Sequence, residues 1–111
     1  MKEFDKQDRK VLKKLRAKAY LIELDRDLTT LASSVDAWRD KRIDGHQLSE
    51  AIHEFHDVKA RKLYGIYDQL DEELAVASAI ARGVLSREEV PDRLLSELER
   101  AIDYFADNAR Q

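Results

Sequence analysis

"RIDGHQLSEAIHEFHD", residues 42–57, decides how this chain is folded, because a turn signal is followed at once by helical periodicity. Asp44 stands where a helix N-cap belongs, and Gln47 follows at the capping-box distance. Ile43 and Leu48 occupy the two hydrophobic-staple positions. Leu48, Ile52 and Phe55 then recur at helical spacing. A helix therefore starts at about residue 45, and whatever precedes it turns sharply at 42–44.

Working outward, the breakers are few. The chain has 111 residues with one proline and three glycines, too little punctuation for a sheet protein. Gly83 in "ARGVLSREEV" can close a helix in the left-handed region. Ser86 and Glu89 repeat the capping-box spacing, and Leu85 and Val90 repeat the staple. Pro91 fits the first turn of a following helix. The expectation is an all-α fold in one domain, residues 1–111, with helices over 5–41, 45–82 and 91–108. The first two would each be about 55 Å long and lie antiparallel as a long hairpin, with the shorter third helix laid over one end. Gly65 falls inside the second helix, as a tolerated glycine or a point of close helix contact.

The faces are uneven. Leu24, Leu28, Leu31, Val35 and Trp38 form one coiled-coil-like seam. Upstream, Phe4, Val11, Leu12, Leu15, Ala19 and Ile22 lie on the other side of the same helix. The apolar face switches near residues 19–24, and no Gly or Pro breaks the helix there. The second helix changes too: its early part carries the narrow stripe Leu48, Ile52 and Phe55, and its late part Leu63, Ile66, Tyr67, Leu70 and Leu74, then the nearly all-round apolar "LAVASAIA" at 74–81. The last helix has one stripe: Leu94, Leu98, Ala101, Ile102 and Phe105. Residues 2–18 hold eight basic and three acidic side chains, whereas 68–73 hold four acidic and no basic ones. Opposite charges should meet at the three-helix end.

A two-helix tip hides little surface. The reading is therefore a self-associating protein acting through protein–protein contacts, a homodimer that completes a helical bundle. Its interaction residues are Leu24, Leu28, Leu31, Val35, Trp38, Leu48, Ile52 and Phe55. Trp38 is the largest anchor candidate, and its ordinary role is a core residue.

All three histidines lie within this opening stretch. His46, Glu50, His53 and Asp57 share a helix face, and imidazole with carboxylate suits a divalent metal. Glu50 and His53 have the spacing of di-iron carboxylate bundles. The stripe lies nearly opposite Leu48, Ile52 and Phe55, so a solvated polar face is expected, with a metal-dependent enzyme as the rival. No metal or other cofactor is expected. "DKRIDGHQLSEA" at 40–51 has the Asp-Gly spacing of a calcium loop but places Arg and Ala where ligands belong. No phosphate loop, nucleophile elbow or other catalytic constellation is present.

Hydrophobic residues are 43%, charged residues 39%, and cysteine is absent, which excludes disulfides and thiolate chemistry. The start, "MKEFDKQDRK", lacks an apolar segment, and no run is long enough to span a membrane. A soluble cytoplasmic protein is expected. The net charge of −3 gives no overall pull towards nucleic acid. The basic start offers an alternative, phosphate contacts through Lys10, Lys13 and Lys14. Only Phe4 and Tyr20 lie near those lysines in sequence, too few aromatics for single-strand stacking.

Overall fold

The computed structural model describes residues 4–109. It contains α1 (Lys6–Arg39), α2 (Gly45–Glu54), a π-helical segment (Phe55–Ala60), α3 (Arg61–Gln69), α4 (Glu72–Ala81), a 3₁₀ turn (Arg87–Glu89) and α5 (Asp92–Ala109). No strand occurs among the described residues. The molecule is elongated, 56 × 30 × 24 Å.

Helix α1 begins at a reciprocal cap. Asp5 accepts from the Asp8 amide at 2.8 Å, and Asp8 accepts from the Asp5 amide at 3.1 Å. Two orphan donors of the first turn are thereby satisfied. The helix runs unbroken through residues 19–24, so one rod carries both apolar faces. It ends with Lys41 at φ 62°. The Lys41 amide donates to the Trp38 carbonyl at 3.1 Å and the Arg42 amide to the Ala37 carbonyl at 2.8 Å. That pair of bonds is a Schellman closure. Asp44 and Gln47 then cap α2 reciprocally, at 2.8 and 2.9 Å.

The single helix expected over 45–82 is not observed. The run changes to π-helix at Phe55–Ala60 and stops at Leu70, whose backbone is extended (φ −91°, ψ 143°). The π segment has a phase argument. Phe55 and Leu63 are eight residues apart, which in a plain α-helix leaves them about 80° out of phase. One residue accommodated as a π-bulge rotates the later turns back by about 100°. Leu63 and Tyr67 are accordingly buried, in line with the earlier stripe. The break at 70–71 sends the next segment into the space between α1 and α5, both of which α4 contacts. Residues 75–80 are all buried there, as an all-round apolar helix requires. Glu72 and Glu73, read from the sequence as helix interior, occupy the first turn of α4, where the helix dipole favours them.

Gly83 (φ 78°) closes α4 as anticipated, with the Val84 amide on the Ala79 carbonyl at 2.8 Å. The Ser86 amide donates to Glu89 Oε2 at 2.9 Å. The core joins Leu12, Leu15 and Ala19 of α1 to Leu63, Tyr67, the buried part of α4 and the α5 stripe Leu94, Leu98 and Ile102. Ion pairs join the same end: Arg9 to Glu72 (3.9 Å) and Glu73 (3.7 Å), Lys18 to Glu89, and Arg93 to Asp8. Gly65 has no neighbour within 4 Å of the position a Cβ would take, so it marks no close helix contact.

Candidate interaction surface

The two ends of the molecule are packed differently. Between residues 20 and 62 only Ala37 is buried. Leu24, Leu31 and Val35 of the α1 seam are half-buried, as are Leu48 and Phe55 of the α2 stripe. Leu28 is 41% exposed, Trp38 45% and Ile52 48%. Trp38 is therefore not a core residue. The chain turns immediately beyond it, so no neighbouring helix extends far enough to cover its ring. It borders a shallow hollow with Arg39, Lys41, Ile43 and Asp44.

The exposed apolar positions are ordered. α1 meets the returning α2 and π segment across a groove in which Leu31, Ala51 and Phe55 stand among Asp27, Thr30, Ser34, Glu54 and Lys59. At about 100° per residue, Leu28 lies about 60° beyond Leu31, turned away from Thr30. Ile52 lies the same angle beyond Phe55, turned away from Glu54. Neither Leu28 nor Ile52 lines that groove, and both are exposed. Leu21, two turns before Leu28, is also exposed and extends the row. Val58 of the π segment, 54% exposed, is a further apolar side chain at this surface. Sequence reasoning left Leu21 out, although it continues the seam: Leu21, Leu24, Leu28, Leu31, Val35 and Trp38 run at spacings of 3, 4, 3, 4 and 3.

A polar network at the packed end fixes how the second run joins the first. Tyr67 donates its hydroxyl to Glu23 Oε2 at 2.6 Å, Arg82 pairs with Glu23 Oε1, and Arg82 Nη2 donates to the Tyr67 oxygen at 3.3 Å. Arg82 Nε donates to Ser78 Oγ at 3.0 Å. The Tyr20 ring meets the Tyr67 ring edge-on, centroids 5.6 Å apart. Burial, reinforced by the Glu23 carboxylate, pushes the Tyr67 hydroxyl up to about 12. These bonds tie α1 to α3 and to the end of α4, the two elements on either side of the 70–71 break. Sequence reasoning did not find the network; its one trace is Glu23, the sole charge in the apolar run "AYLIEL".

The histidine stripe resolves into two separate pairs. His46 Nε2 lies 3.1 Å from Glu50 Oε1, and His53 Nδ1 lies 2.9 Å from Asp57 Oδ2. His46, Glu50 and His53 are well exposed and Asp57 is half-buried. Among the described residues no three His, Asp or Glu side chains converge as a metal site would need. Lys10, Lys13 and Lys14 of α1 are all exposed. No helix among the described residues is long and apolar enough to cross a membrane. What fold and surface together define is an all-helical protein with a packed end and an open apolar tip. No family model, curated protein or solved structure matches the chain.

Proposed function

We propose that this is a cytoplasmic protein that acts through protein–protein contacts, and that a second copy of the chain is the first occupant of its open face. In this reading α1 and the returning helices form an antiparallel hairpin. Two such hairpins lay their apolar sides together as a four-helix bundle at the tip. The observation that carries the reading is the near-absence of buried residues between 20 and 62, while Leu28, Trp38 and Ile52 stand exposed. A two-helix layer with one apolar side is complementary to a copy of itself. Removing that side from water contributes about 25 cal/mol per Å² of apolar surface, in both copies. The interface would be isologous, each seam facing the partner's.

Lysine at both Leu28 and Ile52 tests this. Both side chains are already exposed, so the packed end should keep its helix content. The double variant should have half the wild-type mass by light scattering, at equal helicity. A variant that keeps the wild-type mass would refute the assignment of the face.

A further inference from the structure

At the opposite end of α1 the structure assembles something the linear sequence hides. Lys13, Arg16, Ala17 and Tyr20 of α1 and Tyr64, Tyr67 and Asp68 of α3 line a hollow of about 300 Å³. The scarcity of aromatics near the basic start is therefore only a scarcity in sequence, since α3 brings two tyrosines to it. Ala17 leaves room between the flanking side chains. Tyr67 has its hydroxyl engaged by Glu23 and Arg82, so its contribution to the hollow is ring surface. Tyr64 is 59% exposed and holds one wall.

The charges in this hollow are separated. Lys13 and Arg16 stand on the α1 side and Asp68 on the α3 side. Neither cation takes part in any of the molecule's ion pairs among the described residues, whereas Arg9, Lys18, Arg82, Arg87 and Arg93 all do. Such a hollow offers an aromatic wall, a cationic edge for an anion and a carboxylate that can accept a hydrogen bond from an amino group. We propose that it binds a nucleotide with an amino-bearing base, the base on Tyr20 and Tyr64, the phosphate on Lys13 and Arg16, and the amino group on Asp68. Base–aromatic stacking and charge-assisted phosphate contacts are the interactions these side chains supply. The nucleotide comes either free or as part of a single strand. Lys6, Lys10 and Lys14 continue the cationic edge along the side of α1 opposite its buried Asp8, Leu12, Leu15 and Ala19. The α1 residues of the hollow lie about 27–37 Å along the helix from Trp38.

The test is a titration of the full chain, followed by the NMR ring resonances of Tyr20 and Tyr64. The probes are adenosine monophosphate, adenosine, inorganic phosphate, uridine monophosphate and a single-stranded oligoadenylate. Adenosine monophosphate should shift both rings and bind more tightly than adenosine, phosphate or uridine monophosphate. Tyr64→Ala and the pair Lys13→Ala with Arg16→Ala should each weaken it about tenfold, with helicity unchanged because Lys13 and Tyr64 are exposed, Arg16 is half-buried and none belongs to the buried core. An oligoadenylate that binds more tightly, with affinity falling steeply as salt rises, assigns the source to a strand; equal affinity assigns it to the free nucleotide. No ring shift at about 5 mM adenosine monophosphate, or shifts equally produced by inorganic phosphate, would overturn the proposal.

Discussion

Lys41 is the one non-glycine residue in the described chain with a positive φ. A side chain in the left-handed region costs roughly 1 kcal/mol, which glycine avoids. The Schellman bonds hold it there because α1 must end abruptly before the Asp44 cap. Lys41→Gly should raise the melting temperature by about 4 °C in thermal circular dichroism. Lys41→Ala, which keeps a Cβ, should not. Tyr67 makes a second residue-scale prediction. Its hydroxyl titrates near 12 in the folded chain against 10.0 for the ordinary group. Above pH 10 the unfolded chain loses this proton while the folded chain keeps it, so stability falls as pH rises from 10 towards 12. Denaturant melts across that window should show the fall in wild type and a smaller one in Tyr67→Phe. Equal pH dependence in the two would separate Tyr67 from the effect. Neither residue announces itself in the sequence. The strain at Lys41 needs a backbone angle to be seen, and the network needs three segments brought together. The caps at Asp44 and Gly83, by contrast, depend only on neighbours within a few residues and were legible.

Among the elements, the π segment is where local reading failed for a definable reason. The stripes Leu48–Phe55 and Leu63–Tyr67 were both visible, and so was the change between them. A steady turn of about 100° per residue cannot reconcile them, and the extra residue that does so has no compositional mark. If the segment is one residue of excess, removing Val58, which is 54% exposed, should convert Phe55–Ala60 to α-helix with both stripes in phase. The deletion is expected to melt within a few degrees of wild type. Deleting exposed Ser33 from α1, which has no such slack, rotates Val35 and Trp38 by about 100° and should lower the melting temperature clearly. Equal losses in the two deletions would contradict the phase argument. The break at 70–71 was missed because "DQLDEEL" carries no Gly or Pro. Its acidic run reads equally well as helix interior and as a first helical turn.

At the scale of the whole molecule, composition and periodicity made the all-helical class legible, and the charge segregation of residues 2–18 against 68–73 anticipated which end would be knitted by ion pairs. The three-helix end is packed: α1, α4 and α5 share one core, with Asp8 held by Arg93 and Lys18 by Glu89. The other end is two helices deep and leaves Leu28, Trp38 and Ile52 to solvent. Sequence reasoning marked the seam and the stripe but not the side on which they open, since that depends on how far each helix is rotated about its own axis. The central claim is that this open side is covered by a second copy. Sedimentation equilibrium of the wild-type chain over a concentration series tests it most directly. The account predicts a mass rising from 12.9 kDa towards twice that value as concentration increases. A mass that stays at 12.9 kDa throughout would contradict it.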